Sequence, residues 1–249
     1  MTKGIIRINQ ELLNYLILLL GIILLILGIF VPVGGKWMDV LLGIGCSLIA
    51  SAVVLGLNNI YIQKREEEKI VIDKWGLCAV FSSRSEMNIT CDYYLVSAVS
   101  QIDMIGFGFR SLRDKDRQDK IIQDKAKKGV AIRIISMAPN SPFLAQREKD
   151  ENVTESSIKD SIIQLKQWVD ELKSISPRPD KIEVRFYDSI PLDFYFRIDG
   201  HVFVGPYEYG RLSQHSISYE YRDKKSEGFV YYTTYFESLW KDADFCKTI

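Results

Sequence analysis

Leu12 to Val31 is a run of 20 residues without a charge, mostly Leu and Ile, and Val40 to Ile62 is a second such run of 23. At about 1.5 Å rise per residue, either run is long enough to cross a hydrocarbon core roughly 30 Å thick. The first is too long for the apolar stretch of a cleaved signal peptide, no small-x-small cleavage site follows it, and a second run comes immediately after. The connection from Pro32 to Asp39 is short and turn-rich, so the two runs are expected to form an antiparallel transmembrane hairpin over residues 1–62, with Trp37 at the bilayer interface.

Lys and Arg near the span ends set the orientation. Lys3 and Arg7 precede the first run, only Lys36 lies between the runs, and Lys64, Arg65 and Lys69 follow the second. Both termini are therefore expected on the cytoplasmic side of a plasma membrane. A reducing compartment suits the four cysteines: Cys46 falls within a run, and Cys78, Cys91 and Cys246 have no CxxC or disulfide-framework spacing. The glycosylation-like triplets at Asn88 and Asn152 are then chance matches. No cofactor and no metal site is expected.

The second run carries small residues at helical spacing, Gly43, Ser47 and Ser51 on one line and Ala52 and Gly56 on another. Such lines let helix backbones approach closely in lipid. They serve either the hairpin's own packing or self-association into a homo-oligomer. Two spans enclose no pore, so a channel role requires several copies.

Lys plus Arg number 32 and Asp plus Glu number 32, for a formal net charge of zero. With the hairpin and its flank set aside, residues 73–249 still hold 26 basic and 27 acidic side chains. That balance excludes avid nucleic-acid binding driven by bulk charge. A charged fraction of 26% with 12% aromatics excludes wholesale disorder.

Residues 63–74 form a charged connector without a helix breaker, in which Lys64 and Glu68 are spaced as a helical pair. Short apolar strands then alternate with helical patterns over residues 75–249. Strands are expected at Leu77–Phe81, Ile102–Gly106 and Ala131–Met137, with an amphipathic helix over 88–100 between the first two. Ser111 and Asp114 have the spacing of a capping box for a helix running to Lys128, and Ser141-Pro142 starts another. Thr154 to Lys173 places Ile158, Ile162, Leu165, Val169 and Leu172 at three- and four-residue steps, the mark of one buried helical face. After Pro179 the pattern turns to strands at 181–188, 193–198, 201–204 and 216–221, and a terminal helix holds Phe236 and Trp240. The expected fold class is membrane-anchored α/β, two N-terminal transmembrane helices plus a cytoplasmic mixed β-sheet flanked by helices.

The segment from Phe196 through Asp199-Gly200 to Tyr207 resembles the core hairpin of the phospholipase D superfamily, where an HxKxxxxD strand runs through a turn into a second strand and a Gly-Ser-x-Asn element. Aligned on Asp199-Gly200, the family's histidine position falls on Leu192 and its lysine position on Phe194, and Gly205-Pro206-Tyr207-Glu208 stands in place of the last element. Phe81–Arg84, Gly106–Arg110 and Pro139–Glu148 resemble phospholipase-D-like domains of bacteria. The resemblance implies a phospholipase D-like fold over about 75–245. It also implies that this family's chemistry is lost, because neither Leu nor Phe can attack phosphorus or neutralise an oxyanion. No catalytic residue is assigned. His201 and His215 are the only histidines, and two copies of His215 pairing across a dimer would be the one route back to that chemistry.

A possible anion pocket remains. Ser82, Ser83 and Arg84 lie between a strand and a helix, where free backbone N–H groups and the helix dipole favour phosphate. Gly106, Gly108 and Arg110 follow the next strand, and the glycines would permit close backbone approach to a ligand. Arg147 and Arg197 would add bidentate contacts, with Asp199 and Tyr207 from the hairpin completing the set. Strand ends in open α/β sheets converge on one crevice. Three readings stay open: a degenerate sensor that binds a phosphate-bearing or nucleotide ligand and acts on the lipid bilayer through oligomerised hairpins, as bacterial antiphage effectors do; a membrane-tethered phosphodiesterase or nuclease; and an interaction scaffold.

Overall fold

The computed structural model describes residues 2–30, 35–114, 116–154, 157–190, 192–222 and 225–248, with side chains omitted at 2–11, 62–68 and 116. Pro32 to Gly34 of the expected turn, the Lys3 and Arg7 side chains and the Lys64–Glu68 pair lie outside that description. The chain divides into two compact units, Met1–Lys69 and Ile70–Ile249.

In the first unit, α1 (Thr2–Phe30) and α2 (Gly35–Lys69) each carry a stretch long and apolar enough to span a membrane, Leu12–Phe30 and Gly35–Tyr61. Their backbones meet at two glycines. A Cβ on Gly45 would lie 3.0 Å from the Gly21 carbonyl, and one on Gly21 would lie 3.1 Å from that of Gly45. Ala52 is buried in the same seam, and Gly56 lies beside Asn14. This second small-residue line is thus taken up by the hairpin itself. The first line points away: nothing approaches Gly43, and Ser47, whose hydroxyl donates to the Gly43 carbonyl at 2.8 Å, and Ser51 are exposed.

The second unit opens with a π-helical turn, Ile70–Lys74. Its strands are β1 (Leu77–Phe81), β2 (Gln101–Gly106), β3 (Ala131–Met137), β4 (Ile182–Tyr187), β5 (Phe194–Ile198), β6 (His201–Gly205) and β7 (Ser218–Arg222). They form one mixed sheet in the order β1-β7-β6-β5-β2-β3-β4. β2, β3 and β4 are parallel, and the remaining neighbours pair antiparallel. The helices are α3 (Arg84–Ser97), α4 (Arg110–Arg113), α5 (Asp116–Lys127), α6 (Phe143–Asp150), α7 (Ser157–Ile175) and α8 (Glu227–Lys241).

All five apolar residues picked out by helical spacing in α7 are buried, so its stripe does what the period implies. α3 starts at Arg84 rather than at residue 88, because Ser83 caps it: the Glu86 N–H donates to the Ser83 hydroxyl at 3.2 Å. The Ser111–Asp114 capping box does not form. Phe109, in the left-handed region at φ 48°, starts the short α4 instead, and α5 begins separately at Asp116. Likewise Pro142, not Ser141, is the cap residue of α6, and the long helix begins at Ser157 rather than Thr154.

Because side chains alternate along a strand, Ile102, Met104, Ile132, Ile134, Phe196 and Phe203 share one face with the buried sides of α3, α5 and α7. Tyr195 lies on the other face and stacks on Phe236 of α8 with ring centres 5.2 Å apart. Three charged residues lie side by side on that α8 face, Asp103 of β2 between Arg133 of β3 and Arg197 of β5. Asp103 is fully buried. It accepts from Arg133 at 2.7 and 3.0 Å and from the Gln101 amide at 2.6 Å, with Arg197 at 3.6 Å. Arg133 also reaches Glu237 of α8 at 2.6 Å, so the cluster pins that helix to the sheet.

Candidate functional site

The register of the sheet puts the carboxyl ends of β1, β2 and β6 and the amino ends of β5 and β7 at one edge, since Phe81 faces Ser218 and Phe194 faces Gly205. A cavity of about 420 Å³ opens there. Arg84 from the first turn of α3, Gly108 to Ser111 after β2, Glu151 after α6, and Tyr207 and Ser213 after β6 contribute to its wall. Strand ends converge as open α/β sheets generally arrange them.

Arg84 is the centre of this wall. It is only 5% exposed, its guanidinium lies 4.4 Å from the Phe194 ring centre and 4.3 Å from that of Tyr207, and Nη2 donates to the Pro206 carbonyl at 2.8 Å. Its Nε is buried without a partner among the described residues. Burial lowers the guanidinium's pKa from its ordinary value, only partly offset by Tyr207 and Glu151. Arg147 is likewise buried, 4.9 Å from the other side of the Tyr207 environment, but it is fully engaged by Glu151 four residues on, which also accepts from the Ser213 hydroxyl. Glu151 pairs directly with Arg147, whereas Arg84 makes no ion pair within 4 Å among the described residues; Glu151 and Asp193 act on its charge only from farther away. A buried charge left without a counter-ion is costly unless something arrives to neutralise it.

Several residues expected at the site do other work. Glu86 of α3 accepts from the Ser82 N–H at 2.9 Å and the Ser82 hydroxyl at 2.7 Å, which holds its carboxyl below the usual range. Ser82 and Ser83 are therefore both engaged in starting α3, Ser83 as its cap and Ser82 through Glu86. Gly108 lines the cavity, yet its missing side chain serves α7: a Cβ there would lie 1.9 Å from the Ser161 hydroxyl and 2.6 Å from that residue's backbone carbonyl carbon. Replacing Gly108 by alanine is expected to cost about 1–3 kcal/mol, the range for forced overpacking, read as a lower denaturation midpoint in urea. A Cβ on Gly106 would press on the Phe109 ring at 2.9 Å and the Tyr207 hydroxyl at 3.0 Å, so this glycine also makes room for protein. Arg110 stands on the rim, largely exposed and paired with Asp114 at 3.0 Å.

Arg197 and Asp199 are at the opposite end of the sheet. The Asp199 carboxylate accepts from the N–H groups of Val99, Ser100 and Gln101 at 2.8, 2.9 and 2.8 Å, and the Arg197 Nε donates to the Asp199 carbonyl. Both are structural because β5 runs antiparallel to β2, which carries its last residues away from the crevice. His201 also lies at that far end, stacked on Tyr94 and 2.9 Å from Glu220. His215 is exposed beside Gln214, a residue of the cavity rim. Phe194 sits beneath Arg84, and Leu192 donates its N–H to the Tyr187 hydroxyl at 3.3 Å.

The aromatic wall of Phe107 and Phe109 and the carboxylate of Glu151 were not anticipated from sequence. For Glu151 a signal existed, its four-residue spacing from Arg147 on a helix. For Phe109, αL geometry in a bulky residue leaves no mark in the sequence; such backbone strain tends to gather where a surface is shaped for a ligand.

No family model matches the chain, and no curated protein does. Among solved structures, the phospholipase D family member Nuc from Salmonella typhimurium is 13% identical with a TM-score of 0.44, covering 69% of this chain and 97% of its own. NucT from Helicobacter pylori is 14% identical with a TM-score of 0.43 over 69% and 98%. TrmBL2, described as an archaeal chromatin protein with a novel mode of DNA binding, is 15% identical with a TM-score of 0.42 over 84% and 69%.

Proposed function

We propose that this protein is a membrane-held receptor whose soluble unit binds a phosphate-bearing ligand at Arg84. The observation that carries the reading is a guanidinium 5% exposed, with no carboxylate within 4 Å among the described residues, in the wall of a 420 Å³ cavity. An anion entering the cavity would supply the missing counter-charge in a medium where electrostatic attraction is strong. Phe107 and Phe109 favour a ligand that carries a flat ring as well, a nucleotide rather than a bare phosphate. Leu192 and Phe194, where the phospholipase D pattern has its histidine and lysine, favour binding over hydrolysis.

In this reading the two N-terminal helices cross the plasma membrane with both termini cytoplasmic, as the Lys and Arg distribution suggests. Copies associate through the outward line of Gly43, Ser47 and Ser51, and ligand binding acts on the bilayer through the assembled hairpins. Such an arrangement suits an antiphage effector.

The test is thermal unfolding of the detergent-solubilised full chain with inorganic phosphate, pyrophosphate, nucleoside monophosphates and cyclic nucleotides. A ligand at about 100 times its Kd adds about 2.7 kcal/mol, which raises the Tm of a unit this size by roughly 5–10 °C. At least one nucleotide is expected to do so and inorganic phosphate to do less. A panel in which no anion raises the Tm would sink the reading.

A further inference from the structure

The outer face of α3 carries an apolar stripe that none of the described residues covers. Ile89, Tyr93 and Val96 follow one another at helical steps of four and three, and they are 75%, 72% and 56% exposed; Val99, just past the helix, is 81% exposed. Single exposed apolar residues are ordinary, but a contiguous row of large ones marks a contact surface. Beside the row, Ile89, Tyr93 and Val96 form one wall of a groove of about 440 Å³, with Asp92 and Arg117 of α5 at its edges.

This stripe is rigid. The opposite side of α3, at Met87, Cys91 and Leu95, is buried to within 1% of complete. The loop that presents Val99 is fixed by Asp199, whose carboxylate holds three successive N–H groups. A preformed surface loses little conformational freedom when it is covered.

We propose that α3 is a dimer interface of the soluble unit, and that its occupant is α3 of a second copy of this chain. The edge charges identify the partner. Arg117 forms no ion pair among the described residues, and the acid beside it across the groove, Asp92, is held by the Gln118 side chain of its own copy with one carboxylate oxygen, leaving the other for a cation. In a twofold contact every pair occurs twice: Arg117 of each copy meets Asp92 of the other, while the two apolar rows pack together between them. A different protein would need to present an acid, a base and an apolar row at the same spacing, which this surface already presents to itself. The four apolar side chains supply the centre of the contact, and the charged pairs its rim.

The interface is independent of the cavity at Arg84 and of the small-residue line in α2. Its test uses the full chain in detergent. Tyr93→Cys should form a disulfide-linked dimer under mild oxidation, at a rate at least ten times that of Tyr231→Cys, an equally exposed control on α8. Tyr93→Glu, on an exposed position that the fold does not need, made in a Gly43→Leu/Ser47→Leu background in which the hairpins no longer associate, should shift the particle from two copies to one by light scattering, with its helical circular-dichroism signal unchanged. Equal cross-linking at positions 93 and 231 overturns the proposal. So does an unchanged particle mass when Tyr93→Glu is added to that background, or cross-linking of position 93 only to other proteins. Ligand-induced thermal shifts survive Tyr93→Glu if the receptor reading holds, so the two failures are distinguishable.

Discussion

Replacing Asp103 by asparagine is expected to lower the stability of the folded soluble unit by about 3–5 kcal/mol, the cost of breaking a fully buried ion pair from one side. At about 2–4 °C per kcal/mol for a unit of this size, the Tm should drop by roughly 6–20 °C. The reason lies in the row of charges under α8. Burial alone would lower the pKa of Arg133, and its hydrogen bonds to Asp103 and Glu237 more than reverse that, so the guanidinium holds its charge more tightly than usual. Without the Asp103 carboxylate, Arg133 keeps only Glu237, and Arg197 loses its only acidic neighbour within 4 Å among the described residues. Differential scanning calorimetry of the full chain checks this. A change under about 2 °C would mean that solvent reaches the cluster and screens it.

Arg84→Met is expected to separate stability from function. The ligand-induced rise in Tm should vanish, because the methionine offers no charge to an anion. The unliganded protein should nevertheless melt no lower than the wild type. Methionine fills the space between Phe194 and Tyr207 without the burial penalty of a charge, and replacing buried charges with apolar groups of similar volume is often neutral or stabilising. That relief opposes the loss of the cation–π contacts and of the donor to the Pro206 carbonyl, each about 1–3 kcal/mol or less. A variant that keeps the ligand shift would remove Arg84 from the site. One that melts well below the wild type would make Arg84 a structural cation held by its neighbours. Arg110→Ala should weaken binding less, since Arg110 is exposed and already paired with Asp114.

Regular periodicity was readable wherever one face of an element is buried. α7 and the terminal helix show it, and so do all seven strands, to within two residues at their ends. Local chemistry was readable in kind but not in its partner. Ser82 and Ser83 do stand at a helix start, but Glu86 claims them, and a carboxylate four residues away competes with any external anion. Arg84 was recognisable as an arginine at a strand–helix junction, but not its burial between Phe194 and Tyr207. Arg197 and Asp199 were misplaced for a different reason: the end of the sheet that a residue reaches depends on the direction of its strand, and pairing of β5 with β2 is settled by contacts across some ninety residues of chain. The cancellation of Arg147 by Glu151 decides which arginine is left with unmatched charge, and it follows from burial, which a spacing of four residues alone does not reveal.

β1 connects two places that matter. Its first residue follows Gly76, at a φ of +72°, where a Cβ would lie 2.4 Å from the Arg222 carbonyl. Its last residue, Phe81, lies three positions before Arg84. An extended strand is already near its full length of about 3.3 Å per residue, so it has almost no slack to absorb a pull. β1 therefore behaves as a taut cord rather than a spring: within the second unit, a displacement of the chain at Phe81 would be passed along the strand to Gly76 with little loss. β1 is also the outermost strand and pairs on one side only, with a bulge at Cys78. Sliding it costs the hydrogen bonds of a single neighbour strand, so such a displacement would travel along an edge of the sheet rather than through its middle.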